Sequence, residues 1–345
     1  MLRRFRQGTI GLMAPATQAV SSGSAPPPWP VALLTGLLGS GKTTLVRTLL
    51  ARDGMADTMV VVNEFASIGI DHTLIAAVHG DVVELRGGCL CCVVRQNLAR
   101  TLRDLHLRWR AGTIPGFARV VIETSGLAEP GPVVATLGTH PLVQDAYRLR
   151  AITTLVDAEY GVTQLDGQAI GRHQAAVADR LLISKPDRCD GLQRTALERL
   201  LRALNPVAAT GTSLFGDGAA HDLFARHFPG RRLVAEAVEP SAAHVEGIRC
   251  HELRCGEPLR WAPLQRWLAA LLERDGDVLL RLKGILDVAG CEQPVVLQAV
   301  HHTVYPIETL PAWRGDRAST LVLISQRALP PETEAGFQAC AAVSP

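Results

Sequence analysis

The chain has 345 residues, 47% hydrophobic and 20% charged, with a formal net charge of +2. Such a length allows one large core or two moderate ones and favours two domains. The near-neutral balance argues against a general nucleic-acid surface, and no apolar run reaches the roughly 18 uncharged residues that a membrane span needs.

Residues 1–29 carry Arg3, Arg4 and Arg6, then Ala, Ser, Gly and a Pro26-Pro27-Pro28 run, with no acid before Asp53. They read as a disordered extension; a targeting segment is the alternative, although the apolar "TIGLM" is too short for a secretory core. From residue 30 onward, short runs rich in Val, Ile and Leu recur at 31–35, 59–62, 82–85, 120–122, 152–156 and 181–183, most of them separated by helix-length amphipathic segments. Apolar strands alternating with helices predict a parallel sheet covered on both faces, an α/β domain over 30–230. A loop-like linker follows over 231–246. After it, "GIRCHELRC", a helix over 263–274, "ILDVAG", "PVVLQAV" and "TLVLIS" predict a smaller α+β domain over 247–345.

The segment "GLLGSGKT", 36–43, fits the phosphate-loop pattern, with a strand before it and a helix after it. Gly36, Gly39, Ser40 and Gly41 let backbone N–H groups curl round phosphate oxygens, Lys42 neutralises the terminal phosphates, and Thr43 offers a hydroxyl to Mg2+. Glu123, ending the apolar strand in "ARVVIETSG", supplies the second acidic group such a site requires. In "RLLISKPD", Ser184, Lys185 and Asp187 resemble the Asn-Lys-x-Asp element that reads guanine, with Asp187 accepting from the base and the Lys185 stem packing over it. Together these predict a nucleotide-hydrolysing site that prefers GTP to ATP.

The stretch "ELRGGCLCC", 84–92, places Cys89, Cys91 and Cys92 within four residues, out of eight cysteines in all. A tight turn at Gly87 and Gly88 would let the thiols converge ahead of a helix starting near Val93, where thiolate is favoured. The residues alone leave a metal site, a redox pair and buried thiols open. The other five cysteines are scattered, as expected of reduced thiols in a cytoplasmic protein. His140 precedes a proline in a loop, His301 and His302 are neighbours expected on a strand, and Trp261, Trp267 and Trp313 read as core or interface anchors.

Taken together, "TGLLGSGKTTL", "NEFASIGID", "GGCLCC", "VVIETSGLAEPGPV", "ADRLLISKPD" and "LLRLKGILDVAG" resemble the CobW-type family of metal-handling GTPases. The resemblance implies a P-loop GTPase domain, a CobW-type C-terminal domain, and GTP hydrolysis coupled to metal transfer. Carried over, residues 39–44, Thr44 included, would hold phosphates, with Lys42, Thr43 and Glu123 as the catalytic set. Cys89, Cys91 and Cys92 would hold Zn2+, or Co2+ in a cobalamin-assembly role, with a fourth ligand from Glu64 of a nucleotide-sensing segment, a histidine or a water. A client metalloprotein is the implied partner, and a second copy of the chain is left open. Two departures stand out. Ala66 and Ser67 replace the family's Gly-Glu, and only His244 and His251 occupy the region where many relatives carry a histidine-rich loop.

Overall fold

The computed structural model describes residues 28–52, 54–63, 82–84, 90–94, 98–213, 223–225, 247–313 and 315–342; for 63, 82–84 and 90–94 it describes the backbone alone. Over the first part the order is β1 (Trp29–Thr35), α1 (Lys42–Leu50), β2 (Thr58–Asn63), β3 (Val82–Glu84), β4 (Leu90–Val94), α2 (Leu98–Arg110) and β5 (Arg119–Thr124). It continues with α3 (Pro130–Thr139), β6 (Tyr147–Asp157), α4 (Gly161–Gly167), α5 (Ala169–Val177), β7 (Arg180–Ser184), α6 (Gly191–Leu204) and β8 (Ala209–Ser213).

These strands form one sheet in the order β3-β4-β2-β5-β1-β6-β7-β8. All its pairs are parallel except β3 with β4, an antiparallel pair at the edge. Alternation along β1 shows why its sequence is apolar throughout. Val31 and Leu33 enter the core beneath α2, α3, α5 and α6, while Ala32 and Leu34 pack with Leu45, Val46 and Leu49 of α1. β1 already begins at Trp29, the last residue of the expected extension. Its indole meets His106 and Trp109 edge to face, packs at a tilt on Phe117 and Tyr147, and donates to the Phe117 carbonyl at 3.0 Å.

The second part comprises β9 (Arg249–Cys255), α7 (Trp261–Asp275), β10 (Leu279–Leu286), β11 (Val295–Val300), β12 (Thr303–Val304), β13 (Glu308–Thr309), β14 (Ser319–Ser325) and α8 (Glu332–Gln338). Its antiparallel sheet runs β12-β11-β10-β14-β9, with β13 on β11. One face packs Leu282, Leu286, Leu321 and Leu323 against Leu264, Leu268 and Leu271 of α7 and Phe337 of α8. The other face sends Leu280, Val300, Val322 and Ile324 into the core of the first sheet. The two units therefore share apolar surface rather than merely touching.

A buried ionic cluster crosses this junction. Arg281 and Lys283 of β10 both reach Asp179, just before β7, at 2.5 and 3.0 Å; Arg281 also donates to Gln298 at 2.7 Å and stands over the Tyr305 ring. The second Asp179 oxygen accepts from the Ile152 amide at 3.0 Å. Burial on its own would raise the Asp179 pKa, yet Arg281 and Lys283 hold it below the ordinary carboxylate range.

Several expectations need correction. β10 begins at Leu279, ahead of the expected "ILDVAG", because Arg281 and Lys283 interrupt the apolar pattern and are neutralised by a residue of the other unit. Residues 90–94 are a strand, so the following helix, described from Leu98, does not begin near Val93; the expected turn at Gly87 and Gly88 lies outside the described residues. His301 and His302 form the turn between β11 and β12, with His301 at φ +48°, instead of lying on a strand. Among the described residues, no helix is long and apolar enough to cross a membrane.

Candidate functional site

β1 lies between β5 and β6, and the chain runs to one side of it for β2 to β5 and to the other for β6 to β8. A crevice opens beyond the carboxyl ends of parallel strands at such a switch point, and the phosphate loop occupies it. Gly36, Gly39 and Gly41 have φ of +140°, +77° and +92°, in the region that favours glycine. A Cβ on Gly36 would lie 2.3 Å from the Leu155 carbonyl, whereas one on Gly39 would meet open space. The loop is thus clamped against the sheet at its first glycine and open at its second. α1 begins at Lys42, so its unsatisfied N–H groups and positive dipole end face the loop.

Lys42 Nζ donates to the carbonyls of Gly36 at 2.7 Å and Leu37 at 3.0 Å, which holds its charge inside the loop. The Ser40 hydroxyl is buried and has no hydrogen-bond partner among the described residues, a costly arrangement unless a ligand supplies one. Thr43 Oγ1 donates to Glu123 Oε1 at 2.8 Å, bringing a hydroxyl and a carboxylate together at the mouth of the loop. This oxygen-only pair fits Mg2+, which keeps several waters and takes few protein ligands. Beyond Glu123, Gly126 rests directly on the loop: a Cβ there would fall 2.4 Å from the Leu38 amide nitrogen.

The loop expected to read the base follows β7. Lys185 adopts a left-handed conformation, φ +53° and ψ +45°, and Pro186–Arg188 make a single 3₁₀ turn that presents Asp187 to solvent. Lys185 Nζ donates to the Gly39 carbonyl at 2.7 Å and pairs with Asp157 Oδ2 at 2.5 Å. Its ammonium therefore ties the base loop to the phosphate loop. Ser184, buried, donates to the Val156 carbonyl at 3.3 Å. Asp157 is itself oriented by the amides of Glu159 and Tyr160, at 2.8 and 3.3 Å.

Of the expected metal ligands, Glu64 and Cys89 lie outside the described residues, as does Ser67. Cys91 and Cys92 are consecutive residues of β4, in register with Val60 and Val61 of β2, which in turn pair with Val121 and Ile122 of β5. At roughly 4.8 Å per strand, the Cys92 backbone lies about 10 Å across the sheet from Ile122, the neighbour of Glu123. β2 stands between the two and ends at Asn63, one residue before Glu64. Among the described residues, no cluster of three or more His, Cys, Asp or Glu could hold a metal. His140 lies at the C-terminal end of α3, where its ring accepts from the Leu142 amide at 3.3 Å.

The description of the CobW/HypB/UreG nucleotide-binding domain matches residues 30–211, and that of the cobalamin synthesis protein CobW C-terminal domain matches 248–341. The chain belongs to the CobW family. It is a P-loop GTPase of that type. It is 32% identical over 317 residues to the zinc chaperone YjiA of Escherichia coli (strain K12), covering 90% of this chain and 98% of that one. The crystal structure of Zn(II)-bound YjiA GTPase from E. coli superposes with a TM-score of 0.72 at 29% identity, covering 91% and 99% of the two chains. The zinc-regulated GTPase metalloprotein activator 1 of Schizosaccharomyces pombe is 30% identical over 196 residues, 55% of this chain and 46% of its own.

Two residues of this CobW-type site escaped the sequence reading. Asp157 ends an apolar strand as Glu123 does, a signal that was available. Gln174 of α5 carried no such signal; it is fully buried and donates to the carbonyls of Gly126 and Ala128. The tryptophans divide: Trp261 and Trp267 pack against the second core, while Trp313 stands apart from it and donates to the Glu292 carbonyl at 3.1 Å.

Proposed function

We propose that this CobW-type GTPase is a metallochaperone that carries Zn2+ and hands it to a client metalloprotein in the cytoplasm. Gly36, Gly39, Ser40, Gly41, Lys42, Thr43 and Thr44 would cradle the phosphates of GTP, with Ser184, Lys185 and Asp187 selecting guanine. Thr43 and Glu123 would hold Mg2+, which neutralises charge on the terminal phosphates when bound. Lys42 adds a fixed positive charge at the same place. Cys89, Cys91, Cys92 and Glu64 would form an open site for the cargo ion, a ligand set suited to zinc and loose enough to release it. The GTPase domain would span 30–230, with a linker over 231–246 and the C-terminal domain over 247–345.

The observation that carries this reading is the position of β2. It is hydrogen-bonded on one side to the strand bearing Cys91 and Cys92 and on the other to the strand ending near Glu123. Its next residue after Asn63 is Glu64, so a segment ordered by nucleotide would start at the metal side of the sheet. The test is anaerobic titration of Zn2+ and Co2+ into wild type and a Cys89→Ala/Cys91→Ala/Cys92→Ala variant, with and without a non-hydrolysable GTP analogue. Zinc affinity should fall in the variant and respond to the analogue in wild type. Equal affinities would remove the site, and a preference for Co2+ would replace zinc as cargo.

A further inference from the structure

Gln174 is wholly buried, and its Nε2 donates to the Gly126 carbonyl at 3.3 Å and the Ala128 carbonyl at 3.1 Å. Both neighbours are acceptors, so only the NH2 end of the amide can face them. The preceding residue, His173, meets Glu129 Oε1 through Nδ1 at 2.9 Å. α5 therefore grips the segment 126–129 at three points, directly behind Glu123 and against the phosphate loop.

The helix that does the gripping is itself held. Thr154 of β6 donates to the Gln174 carbonyl at 2.7 Å, and Asn205 Nδ2 donates to the carbonyls of Ala175, Ala176 and Ala178, each at 2.9 Å. Next comes Asp179, fixed by Arg281 and Lys283 of the C-terminal unit. His173 Nε2 also meets Gln326 of that unit at 3.4 Å.

We propose that Gln174 is a positioning residue for GTP hydrolysis: it holds the Gly126–Ala128 backbone where Gly126 can meet the terminal phosphate, and it ties that segment to α5 and the C-terminal unit. The inference rests on the reading that GTP lies on the phosphate loop. Without the amide, two buried carbonyls would lose their donor, and the segment would turn to find others. GDP has no terminal phosphate there, so its binding should not register the change. The consequence falls on turnover rather than on nucleotide affinity.

Full-length Gln174→Leu and Gln174→Glu are compared with wild type for kcat and KM of GTP and for binding of a fluorescent GDP analogue. Gln174→Leu should lose about 10-fold or more in kcat while GDP affinity stays within about 2-fold. Gln174→Glu places a carboxylate against two carbonyl oxygens, so it should be slow at pH 8 and recover partly toward pH 6, as the protonated acid regains a donor. The ionisable side chains of His173 and Glu129 stand beside it in both proteins, so the variant-to-wild-type ratio is read at each pH. A Gln174→Leu protein that melts like wild type with kcat within 2-fold overturns the proposal, as does a GDP affinity that falls in step with kcat. Should Gln174→Leu not fold, the nearly isosteric Gln174→Glu decides, and a flat ratio across pH is the overturning result. Absent hydrolysis by wild type would sink the parent reading; normal variants beside an active wild type would sink this one alone.

Discussion

The two ends of β7 are built for opposite purposes. At its carboxyl end, Lys185 is 31% exposed and Asp187 faces solvent, so polar groups stand where a ligand can arrive and leave. At its amino end, Asp179 is sealed with Arg281 and Lys283, which are 0% and 2% exposed. One end exchanges partners with solution; the other has permanent partners from a different sheet. A strand that reads a ligand needs a fixed end, and here the C-terminal unit supplies it. The second unit is thus part of the scaffold of the nucleotide site.

The sharpest way to break this contrast is Asp179→Ala. It strands two buried cations and should cost about 3–5 kcal/mol in denaturant unfolding; a loss below about 1 kcal/mol would mean the sealed end is not an anchor. Lys42→Ala should act at the open end, lowering kcat/KM for GTP by roughly 10²–10³-fold, with its melting temperature close to wild type. A parallel collapse of stability would erase the distinction between the ends. Asp187→Asn removes the charged acceptors proposed to meet the guanine edge and should weaken GTP binding about 10- to 100-fold while ATP binding barely changes, measured by competition. The smallest effect is expected from His301→Asn, in the turn against α3.

The sign of that last effect follows from burial. Burial lowers the His301 pKa, with Glu129 and the Gly276 carbonyl opposing and His302 and His173 reinforcing. The folded state therefore prefers the neutral ring. Its contribution is complete above the ordinary histidine value near 6.5 and is lost as pH falls toward the lowered one. Asn tolerates the positive φ at this position, so thermal unfolding of His301→Asn should fall less steeply than wild type below pH 6.5, by a few tenths of a kcal/mol at most after solvent screening.

The open end of β7 and the phosphate loop were legible because their chemistry is local. Gly36 to Thr43 form one contiguous run, Glu123 stands at the end of an apolar strand, and Asp187 follows one by three residues. The sealed end was not, since Asp179, Arg281, Lys283 and Gln298 come from separated segments and each looks like a misplaced charge until its partner is seen. Gln174 was hidden for a related reason: its task is to satisfy two carbonyls, and backbone groups leave no trace in a sequence. The cysteine segment misled at its far end: Val93 and Val94 read as the start of a helix, whereas pairing with both β2 and β3 draws residues 90–94 into the sheet.

Lys185 reaches from beyond β7 to the Gly39 carbonyl while pinned by Asp157. This crosslink spans the floor of the crevice and works as a ruler. It fixes the gap between the phosphate loop and the Lys185–Asp187 loop, the two segments proposed to hold the phosphates and the base. Binding then requires little rearrangement between these two loops, and less of its free energy is spent on bringing them together.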